Sequence, residues 1–337
     1  MKGFDAEFRD LDHYIRVITD RIWEGGRVDA IRDYYSADCV VVTPSGATLG
    51  VETIVRGTHE TLAQFPDRRL LAEDVVVRGN DEAGWLSSHR IISTMTHRGD
   101  GAFGAASGRT IQVRTVADCV CRDNRIVHEW LVRDQSAIAL AIGMSPRDLA
   151  RRWVDARVPR QRPTAEPAAP AWWRDPHDTG AAARLLEDTY RAIWLGHGDG
   201  AAAVARYADD AIDWRGPGND QRYGQAQVAA FWADWVEAFH GARWTCESLV
   251  VSERPGRLTV VALRWRLRGK HGGGRRFGRP TGRDVDVIGI THAELLDGRV
   301  LREWVLIDEV AVWMELLAPA SSPDATPFAN HDAGAAS

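Results

Sequence analysis

Arg125-Ile126-Val127-His128-Glu129-Trp130-Leu131-Val132-Arg133-Asp134 returns 174 residues later as Arg299-Val300-Leu301-Arg302-Glu303-Trp304-Val305-Leu306-Ile307-Asp308. Working outward, His97, Gly99, Phe103-Gly104, Gly108-Arg109 and Val113 are answered by His271, Gly273, Phe277-Gly278, Gly282-Arg283 and Val287. Residues 85–139 against 259–313, without a gap, give 14 identities in 55 positions, where average residue usage gives about 3 or 4. The chain is therefore a duplication. The register persists upstream at Gly50/Gly224, Phe65/Phe239 and Val75-Val76-Val77/Leu249-Val250-Val251, then slips by two or three residues at Ile22-Trp23/Ile193-Trp194 and Tyr35/Tyr207. Slips of that size belong in loops.

Each copy opens with a helix, Leu11, Tyr14, Ile15, Ile18 and Ile22 recurring at helical spacing in the first and Leu185, Leu186, Thr189 and Ile193 in the second. Gly25-Gly26 and Gly196 stop these helices. A short helix (29–35; 201–207), a strand (39–43; 211–214), a Pro/Gly turn and a third helix (51–64; 225–239) follow. Four strands come next, at 70–78, 85–97, 110–121 and 125–134, with equivalents at 243–252, 258–270, 284–295 and 299–308. Asp123-Asn124 and Asp297-Gly298 supply hairpin turns, and a terminal helix (135–142; 309–317) closes each copy. Helices followed by a long curved antiparallel sheet make an α+β pattern. The expected division is a domain at 1–155, a proline-rich linker at 156–178 with Pro159, Pro163, Pro167, Pro170 and Pro176, a second domain at 179–318 and a disordered tail at 319–337.

A net charge of −5 and a pI near 6.1 argue against a binder of nucleic-acid phosphates. No stretch reads as a membrane span, and the charged N-terminus does not read as a signal peptide. Four cysteines make no disulfide framework or zinc spacing, so they are expected to be reduced thiols in a cytoplasmic protein. Eleven of the 14 tryptophans fall from Trp153 onward. Most should be core, and an excess of rigid aromatics also lines pockets for flat apolar ligands.

The phrases Thr96-His97…Gly108-Arg109…Arg125-Ile126-Val127…Glu129-Trp130…Asp134 and His271…Gly278-Arg279-Pro280-Thr281-Gly282-Arg283…Glu303-Trp304…Asp308 resemble the SnoaL-like polyketide cyclases and ester cyclases of the nuclear transport factor 2/ketosteroid isomerase superfamily. The resemblance covers roughly 8–150 and 180–318. It implies two cones, each a curved sheet around a deep pocket backed by helices. It also implies an intramolecular pseudo-dimer formed through the outer faces of the sheets, with a further homodimer left open. In this family an aspartate in the cavity carries a proton to and from an activated carbon without metal or organic cofactor. The matching positions here are Asp134 and Asp308, in the Trp-x-x-x-Asp phrase. The aspartate that many relatives place directly after the tryptophan is Leu131 or Val305 here, and no tyrosine keeps the 174-residue register.

Strand alternation sorts the candidates. Leu263, Trp265, Leu267 and His271 share one face, opposite Arg264, Arg266 and Arg268; the same parity in the first copy groups His89, Ile91, Met95 and His97. On the last strand Trp304, Leu306 and Asp308 are grouped, as are His128, Trp130 and Asp134. The expected catalytic set is Asp308, His271 and His292, with Asp134 and His97 in the first copy; Trp304, Trp265, Trp130, His89 and His128 are the expected substrate-binding residues. His292 and the richer tryptophan content favour the second copy as the active one. Plainer roles stand beside these: Asp134 and Asp308 as helix N-caps, His97 and His271 as turn residues, Trp130 and Trp304 as walls, and Arg109/Arg283 with Glu129/Glu303 as cross-strand ion pairs.

The resulting expectation is a cofactor-free, metal-free acid–base enzyme (cyclase, isomerase or lyase) acting on a small hydrophobic, carbonyl-bearing or cyclic molecule. The rivals are a non-catalytic small-molecule binder and an epoxide hydrolase. The last needs a second carboxylate and an arginine in one pocket, for which Asp286 and Glu294 are candidates.

Overall fold

The computed structural model describes residues 1–156, 166–195 and 200–319. Each copy builds a six-stranded sheet backed by helices. In the first copy the elements are α1 (Leu11–Thr19), α2 (Ile31–Tyr34), β1 (Tyr35–Thr43), β2 (Gly46–Leu49), α3 (Val51–Gln64), β3 (Arg69–Asn80), β4 (Gly84–Thr96), β5 (Thr110–Arg122), β6 (Arg125–Arg133), α4 (Gln135–Ala141) and α5 (Pro146–Asp155). The second has α6 (Ala181–Leu195), α7 (Gly200–Tyr207), β7 (Ala208–Arg215), β8 (Gln221–Tyr223), α8 (Gln225–Ala238), β9 (Arg243–Ser252), β10 (Thr259–Lys270), β11 (Asp284–Leu296), β12 (Arg299–Ile307) and α9 (Glu309–Leu317). The strand orders β2-β1-β6-β5-β4-β3 and β8-β7-β12-β11-β10-β9 repeat one topology.

Local chemistry accounts for the boundaries. Asp10 caps α1 by accepting from the His13 amide at 2.7 Å. Asp123 and Asn124 both adopt positive φ, as do Asp297 and Gly298, which a two-residue hairpin requires and these residue types tolerate best. The sheets are mixed rather than antiparallel throughout, because β1 and β7 run parallel to β6 and β12. The Pro/Gly turn after β1 proved to be a hairpin into β2. The helix α5, capped by Ser145 with Pro146 in its first turn, was not anticipated. The stop at Gly196, part of the linker (157–165) and the tail from 320 lie outside the described residues.

Both faces of each sheet are covered. The inner faces meet their own helices, forming one core around Tyr14, Ile18 and Tyr35 and another around Tyr190, Trp232 and Trp265. The outer faces meet each other: Val116, Trp130 and Val132 of the first copy pack with Ile288, Ile290, Trp304 and Leu306 of the second. Trp173, from the described part of the linker, joins that cluster. Buried charges there are paired. Arg264 meets Asp118 at 3.0 Å and Asp175 at 2.8 Å, and its guanidinium lies 3.5 Å from the Trp130 ring centre. Arg90 lies 3.6 Å from the Trp304 ring centre. The second copy also reaches past this face, since Val310 and Met314 of α9 pack with Leu149, Ala150 and Trp153 of α5. No helix among the described residues is long and apolar enough to cross a membrane.

Candidate active site

In the first copy the inner face of the sheet, α1 and α3 enclose a hollow of about 260 Å³. Its apolar wall includes Ile15, Ile18, Val41, Leu70, Ile91 and Leu131, and α3 contributes the small side chains Gly57, Thr58 and Thr61. Glu129, Tyr35, His89, Arg68 and Arg133 also line it, as does Asp308 from the second copy. A second hollow of about 250 Å³ shares Ser45, Gly57, Thr61, Arg68, Arg133 and Gln135 with the first and is closed by Phe65, Met95, Phe103, Trp153 and Met314. The first cup is thus walled partly by the other copy.

Glu129 is set in the hollow by β6, whose pairing with β1 places Tyr35 nearby. The Tyr35 hydroxyl donates to Oε2 of Glu129 at 3.1 Å. Oε1 has no hydrogen-bond partner among the described residues. Burial pushes the Glu129 carboxyl up to about 7, against the Tyr35 hydrogen bond and the Arg133 charge. Asp308 is likewise raised to about 7, by burial first and then by the charge of Asp134. His89 is pushed down to about 3 by burial and is neutral. Two carboxyls poised near neutrality can exchange protons at little cost.

The same positions in the second copy are packed. Gly57, Thr58 and Thr61 correspond to Phe231, Trp232 and Trp235, Val41 to Trp214, Leu70 to Trp244, Ile91 to Trp265 and Thr19 to Tyr190. Phe231, Trp232, Trp235, Trp214, Trp265 and Tyr190 have no exposed surface. Glu303, the twin of Glu129, receives hydrogen bonds on both oxygens, from Tyr190 at 2.9 Å and Tyr207 at 2.8 Å. It too is raised to about 7 by burial, and it does not line the hollows found among the described residues. The second cup, which the sequence favoured, is filled by its own aromatics.

The expected site residues separate. His292 faces the inter-sheet contact, where its Nε2 lies 2.8 Å from Ser88 Oγ. Trp130, Trp304 and His128 face the same contact, the His128 and Trp130 rings being 4.3 Å apart. Trp265 is in the second core and donates to Thr291 at 3.2 Å. His97 and His271 lie at the base of the Gly-Arg loops, against Ser107 at 3.2 Å and Thr281 at 3.0 Å, packed on Phe65 and Phe239. Asp134 caps α4 and binds the Gly218 and Asn219 amides of the other copy. Asp308 caps α9 through Ala311 at 3.1 Å and also lines the first cup. Of the expected set, the structure brings only His89 and Asp308 to this hollow.

Arg109 and Arg283 do not pair with Glu129 and Glu303; they bind the carbonyls of Ala141 and Pro319. Asp286 pairs with Arg266 and Arg268, and Glu294 with Arg302; neither lines the first cup, and Glu294 borders a separate hollow with Glu73, Asp74 and Arg254. Glu129, Tyr35, Arg68 and Arg133 were the residues missed. The face of β6 was misassigned because both faces of the sheet are buried, so apolar alternation does not tell inside from outside. The parity of Glu129, Leu131 and Arg133 against Trp130 was the available signal.

His177, Glu187 and Cys246 hold donor atoms within 4.8 Å of one another. His177 already uses both ring nitrogens, toward Glu187 at 2.9 Å and Cys246 at 3.8 Å, so the trio reads as a hydrogen-bonded chain apart from the hollow.

The family model described as SnoaL-like polyketide cyclase matches residues 14–142 and again 184–316. Among solved structures, one assigned as a SnoaL-like polyketide cyclase from Jannaschia sp. CCS1 is 24% identical, covering 43% of this chain and 97% of its own, with a TM-score of 0.38. One assigned as a polyketide cyclase from Streptomyces antibioticus is 21% identical, covering 39% and 96%, with a TM-score of 0.34. A search of curated proteins found no significant match. With both halves matched, the chain belongs to the SnoaL-like polyketide cyclase family, as a tandem pair of its domains.

Proposed function

We propose that the chain is an acid–base enzyme of the cyclase or isomerase kind and that the reaction takes place in the first cup alone. The observation that carries this is the contrast between Glu129, with one oxygen free toward a hollow, and Glu303, with both oxygens bonded in a packed core. As a carboxylate, Glu129 takes a proton from a carbon next to a carbonyl. Tyr35 holds Oε2 and leaves Oε1 to face the substrate. The resulting enolate oxygen is stabilised by the guanidinium groups that line the hollow. Its carbon either attacks a second carbonyl of the same molecule, closing a ring while Glu129 returns the proton to the new alkoxide, or, where the enolate is conjugated, Glu129 returns the proton to the far carbon of the dienolate. These side chains suffice for both proton transfers, and a carboxyl near 7 suits a group that must both accept and return a proton.

The test is exchange of α-hydrogen for deuterium in a panel of β-keto esters and cyclic enones, followed by proton NMR. Glu129→Gln should slow exchange by about 100-fold or more without changing the melting temperature by more than a few degrees. Equal exchange in wild type and Glu129→Gln would leave a non-catalytic binder.

A second reading has its own observation, because Asp308 supplies a second carboxyl to a hollow that also holds arginine. A water activated there could open an epoxide. Transfer of heavy oxygen from labelled water into a diol, lost in Asp308→Asn, is its signature; an absence of diol from every epoxide tried would dismiss it.

A further inference from the structure

Among the described residues the buried arginines are paired with carboxylates, and Arg68, beside the half-buried Arg133, breaks that rule. Arg90 is paired with Glu73 at 3.1 Å. Arg264 has Asp118, Asp175 and Glu247 around it, and Arg266 has Glu166, Glu247 and Asp286. Arg68 is only 8% exposed, yet among the described residues its side chain has neither a carboxylate within 4 Å nor a hydrogen-bond partner, and its Nε is orphaned. The charge that acts on it is another cation, Arg133. Arg133, half-buried, also has an orphaned Nε and, among the described residues, no ion pair; Asp308 and Glu129 reach it only through space. Leaving a buried guanidinium unpaired beside a like charge is unfavourable, so its persistence asks for a partner that arrives from outside.

Position supports the same conclusion. Arg68 and Arg133 both line the two adjoining hollows, at the wall the hollows share. The corresponding residues in the packed copy are Ala242 and Ile307. The cations occur where there is a space to be filled and are replaced by apolar side chains where there is none. A guanidinium fork matches a carboxylate with two parallel hydrogen bonds, and the remaining wall mixes aliphatic and aromatic side chains with threonine and serine hydroxyls.

We infer that Arg68 and Arg133 form an anion-binding subsite, and that the ligand of the first cup is a compact molecule with an apolar body and a carboxylate or enolate group held between them. This deepens the proposed function, on which it rests for the site of reaction, by assigning a charge to the substrate. The anionic group docks at the arginines while the rest of the molecule lies along Ile91 and Leu131 toward Glu129.

The experiment is calorimetric titration of the full chain with benzoate and with its uncharged analogue benzamide. Benzoate should bind at least tenfold more tightly than benzamide. Arg68→Met and Arg133→Met should each remove that preference while leaving benzamide binding unchanged, and Arg68→Lys should restore part of it. Equal affinity for the two probes, or a preference that survives both methionine substitutions, overturns the assignment. Glu129→Gln separates this result from the reaction: it should keep the preference for benzoate while losing deuterium exchange. Loss of exchange without any benzoate preference sinks the anion subsite alone; a benzoate preference with exchange intact sinks the catalytic reading alone.

Discussion

The two cups share a fold, a strand order and a buried Glu–Tyr hydrogen bond, yet one is hollow and the other solid. The difference is concentrated in a handful of positions, above all Gly57, Thr58 and Thr61 on α3 against Phe231, Trp232 and Trp235 on α8. Exchanging small side chains for indoles converts a binding space into apolar packing that stabilises the domain. Duplication permits this, because one copy can keep the chemistry while the other acts as a brace. The brace is not passive, since it sends Asp308 and Met314 into the walls of its neighbour's hollows.

The comparison breaks most sharply if the first cup is made to resemble the second. Thr58→Trp should remove benzoate binding and deuterium exchange altogether while leaving the fold cooperative; calorimetry and NMR on the same sample check this. The reverse change should be felt as stability rather than activity. Trp232→Ala should cost about 3–5 kcal/mol in denaturant unfolding, with the residual exchange rate of the first cup unchanged at temperatures where the chain is folded.

A smaller effect concerns pH. Glu303 is raised from 4.5 to about 7 in the folded chain, so the folded state holds this proton more tightly than the unfolded state. Its contribution is full below about pH 4.5 and is lost as pH rises to about 7, a change of at most about 3 kcal/mol. Glu129 and Asp308 act in the same direction over the same window. Buried neutral histidines such as His89 and His292 act in the opposite sense, so the test is differential: between pH 5 and pH 8 Glu303→Gln should lose less stability, or gain more, than the wild type. A pH dependence of stability that Glu303→Gln leaves unchanged would contradict the burial-driven account of this carboxyl.

The smallest predicted change is the most diagnostic of the arginine pair. Arg68→Met removes an unpaired buried charge and should raise ligand-free stability by about 1 kcal/mol, roughly 2–4 °C in melting temperature. A large loss would mean that Arg68 has a structural partner.

Much of this architecture could be read from the sequence because the repeat tests itself. The hairpin residues Asp123-Asn124 and Asp297-Gly298, the strand lengths and the start of α3 at Val51 all follow from local patterns that occur twice. The strand β2 and the parallel pairing of β1 with β6 were not legible, since a four-residue strand carries little periodicity and parallel partners are distant in the chain. The site was legible only in part. Alternation along β4 places His89 on the inner face, with Arg90 on the other side as Arg264 is on β10. On β6 and β12 the same argument fails, because Trp130 and Trp304 are buried between the sheets while Val305 is buried and Leu131 half-buried on the inner side. Asp308 was singled out for the cup of its own copy, whereas its carboxyl lines the other one. Only the three-dimensional crossing of the two copies reveals that.

The most direct test of the account is the paired substitution Glu129→Gln and Glu303→Gln, each in the full chain, read by deuterium exchange on one substrate at pH 7. The account predicts that the first loses about 100-fold or more and the second keeps the wild-type rate. Equal losses, or a loss confined to Glu303→Gln, would contradict the claim that only the hollow cup carries the reaction.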